Sequence, residues 1–448
     1  MRFGTDGVRG VANTELTPSF ALRLGRVAAH VIGVSHAVIG GDTRRSTPML
    51  EHAVAAGLAS AGVSVRTIGV VPTPVVAFEA SRRPGTLGVM VSASHNSFGD
   101  NGIKLFAPGG LKLTDEVQEA IEAALASPDD TPTEQDEHVG SIEAGDLGAE
   151  YAQHVLDSIN GRSLAGLRIV IDAANGSGHE LGPALLAATG AEVIGLHVAP
   201  DGVNINAGCG ATDPGSLARS VVAERADLGL ALDGDADRLV AVDHEGRIVD
   251  GDHILAICAL DLRSRGRLHD DTVVVTVMTN LGFRLAMRDA GITVLDTTVG
   301  DRYVLEALER DGLSLGGEQS GHVIFRELST TGDGILTGLV LADVVARAGR
   351  PLAELAETAM TSLPQTLVNV QVPGSDVDWR AVLADEIEAV EQELGDHGRV
   401  LVRPSGTEPL VRVMVEAPTQ TAADTAARQL ADVIAAHGSS TPTLWDGQ

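Results

Sequence analysis

Three times in this chain an apolar run stops abruptly in a loop of glycine, serine, histidine or aspartate. The loops are Val91 to Asn96, Ala231 to Arg238 and Leu315 to His322. Polar loops at the carboxyl ends of buried strands are where α/β sheets place their ligands. A chain with three of them is constrained to three similar units, each pointing one loop into a shared cleft. The flanking sequence supports such units. Strand-like Ala37–Gly40 leads to a helical stretch from Thr47 to Ala61 and then to Val63–Ile68. Leu167–Ile171 leads to a helix near Glu180–Thr189 and then to Ala191–Leu196. Thr272–Val277 leads to a helix near Leu281–Ala290 and then to Ile292–Leu295. Short continuous apolar runs alternating with helical periodicity predict buried parallel-type strands.

The last 85 or so residues differ in style, on the scale of one small domain. A strand near Gln365–Val372, a helix near Val377–Leu394, strands at Arg399–Val402 and Leu410–Val415 and a helix from Ala422 to Ala436 predict a small α+β domain, with a loose tail after His437. The polar stretch Ser127–Glu137 reads as an exposed connection. The expected domains are 1–150, 151–250, 251–365 and 366–448.

The 448 residues are 44% hydrophobic, enough for several cores, but only 2% aromatic, so platforms for stacking bases are nearly absent. The formal net charge of −29 argues against nucleic-acid or anionic-membrane surfaces. Any phosphorylated substrate needs a local basic island. Cys209 and Cys258 cannot make a disulfide framework, and no zinc spacing is present. The N-terminus lacks the apolar core of a signal peptide, and no uncharged run reaches membrane-spanning length. The expectation is a soluble cytoplasmic protein.

Asp233, Asp235 and Asp237 stand at i, i+2 and i+4 after the apolar run Leu228–Leu232. An extended backbone puts all three on one side. Carboxylates so close repel unless a cation joins them, and an all-oxygen set suits Mg²⁺ or Mn²⁺. A calcium EF-hand loop would need Gly where Arg238 stands and Glu where His244 stands. The bland alternative is a solvated acidic turn. Ser94, near His95, Asn96 and Lys104, offers a hydroxyl nucleophile. No Gly-x-Ser-x-Gly elbow surrounds it, and adjacent Ser94 and His95 are expected to point in different directions. A nucleophile beside a hard cation site is the apparatus of phosphoryl transfer. Arg403-Pro-Ser-Gly-Thr-Glu-Pro-Leu-Val-Arg412 reads as an anion cradle, with two arginines flanking Ser405, Gly406 and Thr407. Gly4–Gly10 is not a P-loop, but Arg9 within it can reach a phosphate.

In order, Gly4-Thr-Asp-Gly-Val-Arg-Gly10, Ser92-Ala-Ser-His-Asn96, Asp100-Asn-Gly-Ile-Lys104, Asp233-Gly-Asp-Ala-Asp-Arg238, Gly317-Glu-Gln-Ser-Gly-His322 and Arg403-Pro-Ser-Gly-Thr-Glu-Pro409 resemble the motifs of the α-D-phosphohexomutase superfamily. The likeness runs from residue 4 to beyond 412. Gln319, the Val299–Val304 loop and Asn204-Ile-Asn-x-x-Cys209-Gly are similar to the bacterial branch acting on glucosamine phosphates. Enzymes for mannose and glucose phosphates, the alternative, more often carry Met in the sugar loop. One departure is Ser97, where the family usually has Pro; altered loop mobility is the expected consequence.

The resemblance implies three related mixed α/β domains plus a smaller C-terminal α+β domain around a central cleft. It implies interconversion of glucosamine 6-phosphate and glucosamine 1-phosphate through a phosphate on Ser94 and a 1,6-bisphosphate, a step toward UDP-N-acetylglucosamine. It implies one Mg²⁺ per subunit on Ser94, Asp233, Asp235 and Asp237. Lys104, His95 and Arg9 would serve proton transfer and charge stabilisation, and Arg238 would touch the transferring phosphate. Glu318, Ser320, His322, Asp301 and Arg302 would line the sugar site. Arg403, Ser405, Gly406, Thr407 and Arg412 would hold the other phosphate. The partner is a hexosamine phosphate, with neither nucleic acid nor membrane, and a homodimer is possible. Two rivals are a metal-dependent phosphatase, which makes a separate cradle superfluous, and a non-catalytic sugar-phosphate sensor, which has no need of an intact Ser94 and three aspartates.

Overall fold

A computed structural model describes residues 3–4, 7–129, 131–145, 149–372, 377–404, 410–438 and 442–444. It forms two compact units. One comprises residues 1–278 and 290–359; the other comprises 279–289 and 360–448.

The first unit holds three sheets among the described residues. In the first, Val8–Val11, Asp100–Ala107, Thr86–Val91, His36–Gly41, Ser64–Val70 and Ile142–Ala144 follow one another, with Leu111–Lys112 beside Asp100–Ala107. The second runs Ile248–Val249, Leu239–Asp243, Leu228–Leu232, Arg168–Asp172, Glu192–Leu196. The third runs Thr293–Thr297, Thr272–Thr276, Leu315–Gly317, Val323–Phe325. Each sheet has a parallel heart. Leu228–Leu232 and Thr86–Val91 are buried along their whole length, which is why they read as unbroken apolar runs rather than alternating ones.

The repeated loop has a common topological cause. In each sheet the last parallel strand turns back into an antiparallel neighbour, and the polar loop is that turn. Val91 pairs opposite Ile103, Leu232 opposite Leu239 and Gly317 opposite Val323. The three loops are therefore equivalent positions of three similar units.

Most expected elements form within a residue or two of their predicted bounds, as with Thr47–Ser60, Arg168–Asp172 and Leu181–Ala188. Two expectations fail in the second unit. The single helix predicted over Val377–Leu394 is two, Trp379–Val382 and Ala384–Leu394, because Leu383 leaves helical geometry (φ −101°, ψ 17°) and buries its side chain. The tail is not loose throughout: Pro442–Leu444 pairs with Gln365–Gln371. That strand edges an antiparallel sheet completed by Leu410–Glu416 and Arg399–Pro404. Its core is Val368, Val370, Val402, Val411, Val413 and the inward face of Gln420–Gly438, including Leu430 and Ile434. No helix among the described residues is long and apolar enough to cross a membrane.

Candidate active site

Two of the loops meet at Ser94. Its backbone takes φ 52°, in the left-handed region that serine seldom enters, at a cost of order 1 kcal/mol or more. Surrounding contacts over-determine that conformation. Fully buried Arg44 pairs with Asp42 and donates to Ser94 O at 3.1 Å and Asn96 O at 2.5 Å. Asn206 donates through Nδ2 to the same two carbonyls, each at 2.9 Å. The Ser94 amide donates to Ser92 Oγ, which in turn donates to Asp42. Held this way, Ser94 Oγ donates to Asp233 Oδ2 at 2.6 Å.

The three aspartates come together, buried, with one carboxylate oxygen from each within 4.8 Å of the others, but on a turn with Ala236 at φ 57° rather than on the extended backbone expected. Gly234 lets the loop approach: a Cβ there would lie 2.5 Å from Ser94 O. Thr73 ties the loop from below, its amide donating to Asp235 O and its hydroxyl to Asp235 Oδ2. Lys104 Nζ lies 2.7 Å from Asp235 and 3.0 Å from Asp237. One ammonium among three carboxylates leaves negative charge over. Burial and then the neighbouring Asp237 and Asp235 raise the Asp233 pKa well above the carboxylate range. Burial would do the same to Asp237, but Lys104, His322 and Arg238 hold it well below. Asp235 Oδ1 and Asp237 Oδ1 are buried without a hydrogen-bond partner among the described residues. Orphaned carboxylate oxygens beside a hydroxyl are what a hard divalent cation requires, so the residues present fit Mg²⁺.

His95 corrects one expectation. It does not point away from Ser94: Nδ1 lies 3.4 Å from Ser94 Oγ, because the left-handed turn brings both side chains to one face. Nδ1 also receives an N–H from Arg238 at 3.1 Å. Burial, then Arg238 and Arg9, lowers the His95 pKa to about 4, so the imidazole is neutral near pH 7. Its Nδ1 is thus an acceptor.

A cavity of about 450 Å³ opens on these groups, lined by Gly4, Gly7, Arg9, His95, Asp237, Arg238, Val299, Gly300, Asp301, Glu318 and His322. A larger hollow of about 690 Å³ near Gly166, Arg225 and Arg350 contains no comparable cluster of reactive groups. We place the chemistry in the smaller one. Its far wall is the third loop. Gly321, at φ 91°, packs on Leu239, whose amide donates to Gly321 O. Glu318 accepts from the Gly300 amide at 3.2 Å, and burial raises its pKa. His322 bridges toward Asp301 (3.3 Å) and Asp237 (3.8 Å). Burial opposes its charging, but those two carboxylates outweigh that and raise its pKa.

Some expected residues are elsewhere. Arg302 turns away from this cavity into a two-pronged pair with Asp115, at 2.7 and 2.8 Å, and stacks over Tyr303. Ser320 is exposed and outside the lining. Arg403 and Arg412 belong to the second unit, where they face each other across antiparallel strands. Burial, then Arg412, lowers the Arg403 pKa. Like charges directly opposite are destabilising without an anion to share. Ser405, Gly406 and Thr407 lie outside the described residues. At Ser97 the carbonyl accepts from the Asp100 amide and from Arg44, so the turn is held without proline.

Sequence reading missed Arg44, Asn206, Thr73 and Lys112, the last paired with Asp301. Arg44 was detectable, since Gly40-Gly41-Asp42 ends a strand in the same style as the three loops. Asn206 stood inside a quoted motif with no role; only its contact with a loop 110 residues distant supplies one.

Comparison with known proteins agrees with this geometry. Four phosphoglucomutase/phosphomannomutase domain signatures match in order: α/β/α domain I over residues 1–131, domain II over 149–246, domain III over 250–363 and the C-terminal domain over 367–433. A phosphoglucosamine mutase of Frankia alni is 55% identical over 449 residues, 97% of this chain and 98% of its own. One of Rhodococcus opacus is 51% identical over 445 residues, 97% and 99% of the two chains. The chain belongs to the phosphoglucosamine mutase family. A crystal structure of a phosphoglucomutase/phosphomannomutase family protein from Burkholderia thailandensis superposes with a TM-score of 0.82 at 27% identity, over 98% of each chain. As in that family generally, this phosphoglucosamine mutase relative has three α/β domains and a small C-terminal one.

Proposed function

We propose that the protein interconverts glucosamine 6-phosphate and glucosamine 1-phosphate, through a phosphate carried on Ser94 and a 1,6-bisphosphate intermediate. The observation that carries this is Ser94 Oγ 2.6 Å from Asp233, inside a buried three-carboxylate cluster. Family membership and the names of the curated relatives support the hexosamine substrate. The domains are divided at 1–150, 151–250, 251–365 and 366–448.

Asp233, Asp235, Asp237 and one oxygen of the Ser94 phosphate would hold Mg²⁺, which when bound draws charge from the transferring phosphoryl group. The chain's own residues do the rest. Arg44 and Asn206 keep the Ser94 loop in its high-energy turn, so the reacting oxygen is aimed before substrate arrives. The sugar hydroxyl attacks phosphorus as the P–Oγ bond breaks; neutral His95 takes the hydroxyl proton, Ser94 Oγ leaves and regains a proton, and the Lys104 ammonium offsets the charge that develops. Arg9 and Arg238 offset charge on the phosphate oxygens. Glu318, His322 and Asp301 present paired acceptors and donors to sugar hydroxyls, a set from which Ser320 and Arg302, outside the cavity, drop out. Arg403, Ser405, Gly406, Thr407 and Arg412 bind the phosphate that is not reacting. The intermediate reorients and its other phosphate returns to Ser94. Cytoplasmic location and a homodimer belong to the same reading.

The test is a coupled assay that separates isomerisation from phosphate release, run with glucosamine, glucose and mannose phosphates. Isomerisation of the glucosamine compound should dominate, and intact-protein mass spectrometry should find phosphate on Ser94. Ser94→Ala should remain folded and lose essentially all turnover. Full isomerisation by phosphate-free Ser94→Ala would overturn the mechanism, and preference for glucose or mannose phosphate would overturn the substrate.

A further inference from the structure

A second cluster of metal-binding types lies behind the Asn206 loop, and the mechanism uses none of it. Asp172 ends the strand Arg168–Asp172, and His197 directly follows the parallel strand Glu192–Leu196. Cys209 sits three residues beyond Asn206. A carboxylate oxygen, a ring nitrogen and the sulfur of these three lie within 4.8 Å of one another. Asp172 and Cys209 are completely buried, and the His197 side chain is 31% exposed.

The ordinary reading is a buried Asp–His pair with an inert thiol beside it. One detail disfavours it. His197 Nδ1 is buried and 3.0 Å from Asp172 Oδ2, yet it makes no hydrogen bond to it or to any other described group. The ring nitrogen and the carboxylate are close without being aimed at each other. With the Cys209 sulfur also within 4.8 Å, the unpartnered ring nitrogen sits where a third atom could be shared. The carboxylate is also fixed as a ligand would be. Its Oδ1 accepts from the Ala174 amide at 2.9 Å and its Oδ2 from the Gly210 amide at 3.0 Å. Such outer contacts orient a ligand and leave one lone pair per oxygen for a metal.

We propose that Asp172, His197 and Cys209 bind a borderline-soft divalent cation of the Zn²⁺ class, with solvent at the fourth position on the His197 side. One carboxylate oxygen, one imidazole nitrogen and one thiolate form a tetrahedral set that zinc accepts and magnesium does not. Ligands about 2.0–2.3 Å from a tetrahedral ion stand about 3.3–3.7 Å apart, so the Asp172–His197 pair at 3.0 Å would open slightly to admit the ion. The thiol gives its proton to solvent as the metal–sulfur bond forms. Burial, then Asp172 and Asp213, pushes that thiol up to about 12, so without a cation it stays protonated and a cation must displace the proton.

The site has a structural consequence for the chemistry. It would join the ends of two strands to the loop bearing Asn206, which donates to Ser94 O and Asn96 O. The cation would then be a staple under the serine loop, distinct from the one held by Asp233, Asp235 and Asp237. This inference does not depend on the proposed substrate.

The experiment is cobalt titration of chelator-stripped, full-length protein in excess Mg²⁺, which keeps the all-oxygen site occupied. A thiolate-to-cobalt charge-transfer band should saturate at one equivalent and disappear on adding Zn²⁺. Cys209→Ser should abolish it, Cys258→Ser should keep it, and His197→Asn should weaken cobalt binding at least tenfold. Zinc should raise the melting temperature of the wild type and not of His197→Asn. Absence of the thiolate band, or its survival in Cys209→Ser, would overturn the proposal. Should Cys209→Ser fail to fold, unchanged cobalt affinity in the half-exposed His197→Asn would overturn it equally.

Discussion

Asp235 has its Oδ2 committed to Thr73 and Lys104, while its Oδ1 has no hydrogen-bond partner among the described residues. On the proposed reading, one oxygen serves positioning and the other is left for a cation. Asp235→Asn keeps the shape and removes one charge, so Mg²⁺ affinity should fall at least tenfold while the fold survives. Isothermal titration with Mg²⁺ and circular dichroism measure the two separately. Normal metal affinity in this variant would remove the aspartates from the metal site. Arg44 shows how much positioning sits outside the reactive groups. A fully buried guanidinium is tolerable only when its N–H groups are spent, and here they go to Asp42 and to the carbonyls of the serine loop.

Each reactive loop is the turn from a parallel strand into an antiparallel one, so its geometry depends on close backbone approach. Gly234 carries the approach between the serine and aspartate loops. A Cβ 2.5 Å from Ser94 O is about 1 Å short of ordinary contact, and both atoms it meets first belong to held backbone or to Asn206. Gly234→Ala should force the serine and metal loops apart and reduce kcat by about 100-fold with little change in melting temperature. Steady-state kinetics beside a thermal melt checks this. A helix terminus offers a pH test. Asp333 caps Gly334–Ala348, accepting from the Leu336 amide and from the Tyr151 hydroxyl. Burial raises its pKa from 3.8 to about 6. The folded protein therefore binds this proton more tightly than the unfolded chain. The associated stability is full below about pH 4 and is lost as pH rises through about 6, up to about 3 kcal/mol. Asp333→Asn retains a capping side chain and cannot titrate. Urea unfolding from pH 4 to 7 should show the wild type losing stability relative to this variant, and a constant difference would refute the assignment.

At the scale of the whole molecule, the residues proposed for bond-making and for the second phosphate fall in different units. The three aspartates, Ser94, Glu318 and His322 are in one; Arg403 and Arg412 are in the other. Arg403→Ala should weaken sugar-phosphate binding by about 1.5–3 kcal/mol, the scale of a charge-assisted contact. Turnover should slow as well, because remote binding energy orients the reacting hydroxyl. Mg²⁺ affinity and phosphate on Ser94 should be unchanged. A bisphosphate gripped less firmly should escape more often, which ³¹P NMR during turnover would record. Unchanged binding and leakage in Arg403→Ala and in Arg412→Ala would remove the two arginines from phosphate binding.

Much of this was legible in order along the chain. Buried strands announce themselves as apolar runs, and three aspartates directly after one of them mark a candidate cation site; the extended backbone expected there is a turn with Ala236 at φ 57°, so the fold and not the alternation gathers the carboxylates. The break at Leu383 and the strand Pro442–Leu444 were not legible, because each depends on what the segment packs or pairs with rather than on its own periodicity. Contacts between distant segments were equally hidden. Nothing local to Asn206 or Arg44 says that both grip Ser94, and Asp172, His197 and Cys209 have no metal-binding spacing. They meet because parallel strands deliver their carboxyl ends to one edge of a sheet, where residues far apart in sequence become neighbours. Local pattern determined which groups could do chemistry; only tertiary packing decided the turn that aims Ser94 and the direction in which Arg302 faces.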